Sequence, residues 1–194
     1  IKGLGDIPET ALGFYKDDKK LNFSAKVLKI LPGNLVVLDQ TYFYPRSGGE
    51  EPDHGTMGGS RVVDIDKVKN IVVHHVDRVT FAKGVRVDCI VDADRRRQLT
   101  IHHTATHIVN AAARKVLGEH IWQAGAHKDV DLARLDVTHF ERIEPKDLRR
   151  MEDLANEIIQ MEIPIHKLFM ARGDAEAKYG FRLYQGGAPP GDQI

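Results

Sequence analysis

The chain has 194 residues, of which 42% are hydrophobic and 29% charged, and its formal net charge at pH 7 is zero. These values are typical of a globular protein with one large or two small domains, and no apolar run is long enough to span a membrane. Zero net charge excludes a global basic field, so any contact with RNA must come from local groups or attached domains. The single cysteine, Cys89, excludes an internal disulfide and indicates a reducing, cytoplasmic setting.

Residues 1–20 are polar and irregular, and we predict that they form a connector. Between residues 21 and 92, short segments rich in β-branched side chains alternate with turn residues, and no convincing helix precedes Asp92. Several short strands at near-regular spacing are typical of a small barrel or sandwich. We expect Cys89, within one of these strands, to be a buried thiol. The predicted strands are Phe23–Ile30, Leu35–Leu38, Arg61–Ile65, Asn70–Val76 and Val85–Val91.

One stretch of this β-rich region, TYFYPRSGGEEPDHG from Thr41 to Gly55, differs from ordinary turns. Its aromatic residues lead into the pair Gly48-Gly49, and paired glycines allow backbone amides to approach a ligand or another surface closely. A long hairpin loop with ordinary turn chemistry is the alternative interpretation.

The next element, from Gln98 to Gly118, has helix length and no internal Gly or Pro, and Gly118 is a usual helix stop. Asp92 and Asp94 precede it as candidate N-caps. The arginines at 95–97 predict either a phosphate contact at the helix start or a solvated face. The apolar spacing predicts that one helix face packs on a core, formed by Ile101, Ala105, Ile108 and Ala112.

His103 and His107 lie one helical turn apart, on a polar face nearly opposite that stripe, together with Thr106 and Asn110. Two imidazoles at this spacing can bind the same metal ion, as they do in zinc sites. The pair is not a complete site, because zinc takes three or four protein ligands. Two solvated surface histidines are the alternative interpretation.

The remainder of the chain predicts an α+β layer, with helices packed on one face of a mainly antiparallel sheet. Segments 122–126 and 133–140 predict a hairpin, and residues 145–164 contain an amphipathic helix bounded by two prolines. A strand at Ile165–Met170 and a short helix at Asp174–Tyr179 follow.

Four of these motifs occur in a characteristic combination: FYPRSGG, HTATH, VNAAARKVLGEHIWQAG and EAKYGFRLYQGGAPPG. Together they resemble the editing domain of alanyl-tRNA synthetases, most closely the archaeal type, over about Glu9 to Ile194. In that family a small β-barrel with a Gly-Gly loop precedes an α+β core, whose HxxxH helix packs on a mainly antiparallel sheet. The resemblance therefore implies a barrel subdomain at 21–92 and an editing core at 93–194.

The same resemblance implies a function and partners. It implies an aminoacyl-tRNA ester hydrolase that proofreads tRNA(Ala) mischarged with serine or glycine, with Zn²⁺ as cofactor. The implied partners are the tRNA and the rest of an ATP-binding, cytoplasmic alanine–tRNA ligase, although nothing in this chain carries aminoacylation motifs. A free-standing editing protein and a non-catalytic tRNA-binding module are the alternatives. A zinc peptidase is disfavoured, because position 104 holds Thr where such enzymes need Glu.

Residue by residue, the resemblance makes His103 and His107 metal ligands and catalytic residues. It places Gln123 in the pocket, where its amide would bind the aminoacyl group and take part in catalysis. Gly48 and Gly49 would belong to the loop beside the pocket, and Thr41 would offer its hydroxyl to the same substrate.

Two positions depart from the family pattern. Glu50 follows the glycine pair, where the family usually has Gln. The family's later CxxxH pair is absent, because the residue four places after Cys89 is Ala93. The chain starts at Ile1, without Met, and we expect an internal piece of a longer protein, whose remaining metal ligands lie beyond Ile194. The editing core is therefore expected to be incomplete at its C-terminus.

Overall fold

A computed structural model describes residues 1, 3–184, 187–188 and 191–194. Within these residues the chain is mixed α/β, with three α-helices and mainly antiparallel strand pairing, which confirms the broad fold class that we predicted. Part of the tail motif QGGAPPG, at Gln185, Gly186, Pro189 and Pro190, lies outside the described residues. No helix in the described part of the chain is both long and apolar enough to cross a membrane.

Eight strands precede the first α-helix. In the described chain they are β1 (Ala11–Leu12), β2 (Asn22–Leu31), β3 (Leu35–Leu38), β4 (Gln40–Thr41), β5 (Gly55–Met57), β6 (Ser60–Val68), β7 (Ile71–Val76) and β8 (Arg86–Val91). Six of them close into a barrel in the order β2-β3-β7-β6-β5-β8, with antiparallel pairing between neighbours. The short strands β1 and β4 pair in parallel.

The barrel encloses one apolar core. Burial alternates along β8, where Val87, Cys89 and Val91 are buried, because successive side chains of a strand face opposite sides. The expected burial of the Cys89 thiol is confirmed, and desolvation raises its pKa to about 12. Larger side chains such as Phe43 and Ile65 fill the remaining space.

Part of the predicted connector packs on the barrel. Phe14 lies in a 3₁₀ turn, Gly13–Tyr15, and is buried. Thr10 is buried as well, and its hydroxyl accepts a hydrogen bond from the Val72 backbone N–H at 3.0 Å. These residues contribute to the barrel fold, which the polar composition of residues 1–20 did not indicate.

The later elements are three helices and one two-stranded sheet: α1 (Ala93–Leu117), β9 (Gln123–Lys128), β10 (Ala133–Val137), α2 (Pro145–Gln160) and α3 (Arg172–Tyr179). Ala113, Ile121 and Met151 form a small second core. The strand predicted at Ile165–Met170 is wrong, because in the described chain only Met170 exchanges backbone hydrogen bonds with another segment, at Ile194. The other apolar side chains of the segment, Ile165, Leu168 and Phe169, are exposed.

The chain divides into two compact units. One comprises Ile1–His102 with Lys128–Leu132, and the other comprises His103–His127 with Ala133–Ile194. The division therefore falls inside α1, after His102, whereas the sequence placed a boundary at residue 92. Residues 128–132 group with the barrel although they follow α1 in the sequence.

Helix α1 turns a different face inward from the one that its apolar spacing predicts. Ala112 is buried as expected, but Ile101 is 48% exposed. Thr106 and Asn110, which we predicted on a polar outer face, are buried, as are Leu99 and Ala113. Both polar side chains have interaction partners, although the buried Oδ1 atom of Asn110 accepts no hydrogen bond from a described residue.

Candidate functional site

The histidine pair lies in the middle of α1. The ring centroids of His103 and His107 are 5.0 Å apart, and the ring planes are inclined by 42°. His103 is half-buried and His107 is exposed. Because residues four apart in a helix lie on the same face, nitrogen atoms of both rings can be directed at one ion.

These two side chains fit zinc as part of a ligand set. Imidazole nitrogen is a usual zinc ligand, but a protein site needs three or four ligands. Among the described residues, the only group of three or more possible ligand side chains close enough for one ion is Asp64, Asp66 and His75, which does not include the pair. The described residues therefore form no complete zinc site around the histidine pair.

The Asp64–Asp66–His75 group already binds a cation from the protein. The guanidinium of Arg46 lies 3.1 Å from a carboxylate oxygen of Asp64 and 3.7 Å from one of Asp66. His75 Nε2 lies 2.9 Å from the other oxygen of Asp66. An arginine in this position leaves the carboxylates paired, so the group has a structural explanation without a metal.

Gln123 is the first residue of β9. Its Oε1 atom is buried, and no described residue donates a hydrogen bond to it. A buried acceptor without a donor is costly, by about 1–3 kcal/mol. Such an atom is a natural contact for the donor of a bound molecule.

Thr41 lies inside the barrel and is fully buried. Its hydroxyl donates to Nε2 of His74 at 2.9 Å and accepts from the Phe43 N–H at 3.2 Å. His74 Nδ1 carries the ring hydrogen, because its partner at 3.1 Å is the Val36 carbonyl, which can only accept. Burial lowers the pKa of His74 to about 4, so this ring is neutral at pH 7. The hydroxyl that the sequence assigned to the substrate pocket is thus already engaged in the barrel core.

The glycine pair forms a tight turn. Ser47 and Glu50 exchange two backbone hydrogen bonds, of 3.2 and 2.9 Å, around Gly48 and Gly49, whose φ angles are +59° and +74°. Two consecutive positive φ angles define a type I′ turn, which glycine adopts without strain. A Cβ atom on Gly48 would meet nothing within 4 Å, so the backbone conformation, not close packing by the described residues, explains this glycine.

The arginine triplet at the start of α1 is mainly structural. Arg96 is buried, and its Nε atom donates to both carboxylate oxygens of Asp53, at 3.0 and 3.1 Å. Arg95 donates to the Pro52 carbonyl at 2.8 Å, and only Arg97 is exposed. Arg95 and Arg96 therefore do not form the solvated face that was one of the two predicted alternatives. The predicted cap at Asp92 is confirmed, because its carboxylate accepts the Arg95 N–H at 3.0 Å.

Three residues with central roles in this region were not predicted. Arg96 and Asp53 form the buried pair, and Lys128 binds the glycine turn. Their contacts join residues that are 43 and 80 positions apart, and no local spacing in the sequence signals such pairs. The burial and the neutral charge of His74 could not be predicted from the sequence either.

Comparisons with known proteins identify relatives over nearly the whole chain. Residues 10–95 match a family model described as tRNA synthetases class II (A). A protein named alanine–tRNA ligase from Methanopyrus kandleri is 52% identical over 196 residues, which is 97% of this chain and 21% of that protein. Proteins of the same name from Nitrosopumilus maritimus and Caldivirga maquilingensis are 47% and 44% identical, over 96% and 97% of this chain. The chain spans 21–22% of the length of these curated relatives.

Proposed function

Because the chain belongs to the alanyl-tRNA synthetase family, we propose that it is the proofreading part of such an enzyme and hydrolyses tRNA(Ala) mischarged with serine or glycine. The observation that carries this proposal is the histidine pair, with two rings 5.0 Å apart on one helix. Its HxxxH spacing matches the editing domains that the sequence resembles. An aminoacyl ester is already activated, so its hydrolysis needs a positioned water and charge stabilisation more than covalent catalysis.

We propose that His103 and His107 bind Zn²⁺ through imidazole nitrogen atoms, and that the remaining ligands come from residues beyond Ile194. When bound, zinc supplies a positive charge that polarises the ester carbonyl and stabilises the negative charge that develops during attack. The two histidines orient that charge. Their position on consecutive turns of one helix makes this orientation rigid.

Gln123 is the proposed contact for the aminoacyl group. The serine hydroxyl would donate a hydrogen bond to its buried Oε1, which no described residue satisfies. An alanyl group has no hydroxyl and leaves this acceptor unpaired, at a cost of about 1–3 kcal/mol, which corresponds to about 5- to 150-fold in rate. A glycyl group also lacks the hydroxyl, so this contact does not separate glycine from alanine.

The remaining site residues take supporting roles in the proposal. Gly48 and Gly49 form the turn beside the pocket, as the resemblance implies. Thr41 has a structural role in the proposal, because its buried hydroxyl bonds His74 and the backbone at the start of the loop and does not contact the substrate. The proposed partners are tRNA(Ala) and the rest of the synthetase chain, in the cytoplasm.

Deacylation of seryl-, glycyl- and alanyl-tRNA(Ala) by the full-length protein, with zinc quantified in the same sample, tests this function. Fast release of serine and glycine, slow release of alanine and about one zinc per chain are the expected results. Gln123→Ala should lower the ratio of seryl to alanyl hydrolysis by about 5- to 150-fold. The matched control is His166→Ala, at an exposed histidine, which should leave the ratio unchanged.

Two results would contradict the proposal. An unchanged ratio in Gln123→Ala removes Gln123 from the pocket. Tight tRNA binding without hydrolysis by a zinc-loaded protein favours the alternative, a non-catalytic tRNA-binding module.

A further inference from the structure

We propose that Lys128 is a positioning residue for this hydrolysis, because it holds the Gly48-Gly49 turn, which the proposed function places beside the pocket. The inference rests on the proposed function, since it concerns the geometry of the same site. It goes further in naming a residue that neither the motifs nor the family resemblance assigns.

Lys128 holds the turn with three hydrogen bonds. Its backbone N–H donates to the Gly49 carbonyl at 2.7 Å, and its ammonium group donates to the Gly48 carbonyl at 2.8 Å. Its own carbonyl accepts the Glu51 N–H at 2.9 Å. Both glycine carbonyls therefore bind the same lysine, and the turn cannot move independently of the end of β9.

A lysine is an expensive residue for this position if packing is its only role. Lys128 is 3% exposed, and desolvation lowers the pKa of its ammonium group, an effect that nearby Glu50 opposes. Methionine would occupy a similar volume without the cost of burying a charge. The ammonium group donates to the Gly48 carbonyl and lies near the buried Glu50, so the charged side chain both holds the turn and offsets a buried negative charge.

The next residue, Asp129, extends the same connection to α1. Its carbonyl accepts a hydrogen bond from His102 Nδ1 at 2.6 Å, and its carboxylate accepts one from Arg95 at 3.3 Å. His102 Nδ1 carries the hydrogen, because Nε2 accepts from the Gln98 amide at 2.8 Å. Lys128 and Asp129 thus join the glycine turn to helix α1 at His102, and all of these residues belong to the unit that contains the barrel.

Misplacement of reacting groups by about 1 Å costs about a hundredfold in rate, so loss of the ammonium bond to Gly48, the only one of the three that the side chain makes, should act on the chemical step. In the full-length protein supplied with zinc, Lys128→Met should lower kcat for seryl-tRNA(Ala) by at least about tenfold and change KM by less than about twofold. Its thermal midpoint should fall only slightly, because the Gly48 carbonyl loses a donor and Glu50 loses a nearby cation, while the variant no longer buries the ammonium charge. Lys128→Gln, whose amide can donate to the Gly48 carbonyl, should recover most of kcat. Lys83→Met, at an exposed lysine, is the matched control with wild-type kinetics.

Hydrogen exchange measured by mass spectrometry gives a readout that does not depend on activity. In Lys128→Met, the peptide covering residues 46–51 should exchange faster, while the peptide covering β2 should be unchanged. Wild-type kcat in an otherwise active Lys128→Met protein overturns the positioning role. A large fall in the thermal midpoint with a loss of kcat that Lys128→Gln does not recover also overturns it, because the effect is then one of folding. If the wild type hydrolyses no mischarged tRNA, the proposed function fails, and unchanged exchange at residues 46–51 overturns the role of Lys128 separately.

Discussion

Acid should destabilise the barrel through one buried histidine. His74 is fully buried in β7, and its two ring nitrogens bind the Val36 carbonyl and the Thr41 hydroxyl. This arrangement needs a neutral ring, because Nε2 must accept a hydrogen bond. Desolvation lowers the pKa of His74 from 6.5 to about 4, so the folded state resists protonation.

The sign and size of the effect follow from proton linkage. Above pH 6.5 the ring is neutral in the folded and the unfolded chain, and His74 adds no pH dependence. As the pH falls from 6.5 to about 4, the unfolded chain binds a proton that the folded chain does not, so the free energy of unfolding decreases. The difference in pKa corresponds to about 3 kcal/mol, which is a large share of the stability of a small domain.

Nuclear magnetic resonance titration of labelled histidines, combined with chemical unfolding at pH 7.5, 5.5 and 4.5, measures this effect. The His74 resonance, assigned by its absence in His74→Asn, should not shift between pH 7 and pH 5.5. His74→Asn should be less stable than wild type at pH 7.5, because the Thr41 hydroxyl loses its acceptor, and this difference should shrink by up to about 3 kcal/mol towards pH 4. His166→Asn, at an exposed position, should keep the wild-type pH dependence. A His74 resonance that titrates near pH 6.5, or parallel pH curves for wild type and His74→Asn, would refute the reasoning.

Two further predictions concern stability. Gly48→Ala should lower the free energy of unfolding by about 1–2 kcal/mol, because only the positive φ of this position is unfavourable for alanine. Gly55→Ala should lower it by more, because the added Cβ would lie 2.0 Å from a backbone oxygen of β8. Equal losses in chemical unfolding would contradict this. Arg96→Met should cost about 3–5 kcal/mol by leaving Asp53 buried without its cation, and Arg97→Met, at an exposed position, less than about 0.5 kcal/mol. A small loss in Arg96→Met would show that the pair is not buried.

Strand positions were the most predictable part of the fold. The segment Phe23–Ile30 corresponds to β2, Asn22–Leu31, because burial alternates from Asn22 to Val27, before the pairing register with β3 shifts between Val27 and Lys29. Strand β5, Gly55–Met57, was not predicted, since three residues are too few to show a period. The segment Ile165–Met170 has strand-like composition, but in the described chain only Met170 exchanges backbone hydrogen bonds with another segment, at Ile194. Composition thus predicts which segments can form strands, and hydrogen-bond partners decide which of them do.

The helix shows a different limit. We placed the start of the helix at Gln98, but it begins at Ala93. Its end at Leu117, just before Gly118, follows from local sequence, and so does the one-turn spacing of the histidines. The buried face does not, because apolar spacing assumes that only apolar side chains are buried. Thr106 and Asn110 are buried nonetheless, each with an interaction partner. A helix that contributes polar groups to a functional site has to bury some of them. Apolar spacing is therefore least reliable as a guide to the buried face of a helix where function is expected.

In the candidate site, some residues can be found from short sequence motifs, whereas others depend on contacts between residues far apart in the sequence. Gln123 was predicted from its motif, and its buried Oε1 accepts no hydrogen bond from a described residue, as suits a contact reserved for a ligand. Lys128 and Arg96 use their polar groups on the protein itself, with partners 80 and 43 positions away. Residues that act on a substrate share short motifs, because the chemistry requires their mutual spacing. Residues that hold those motifs in place are distributed along the chain, because any segment that folds nearby can provide them. Measuring the free energy of unfolding of Arg96→Met and the kcat of Lys128→Met therefore tests the contacts that sequence spacing cannot predict.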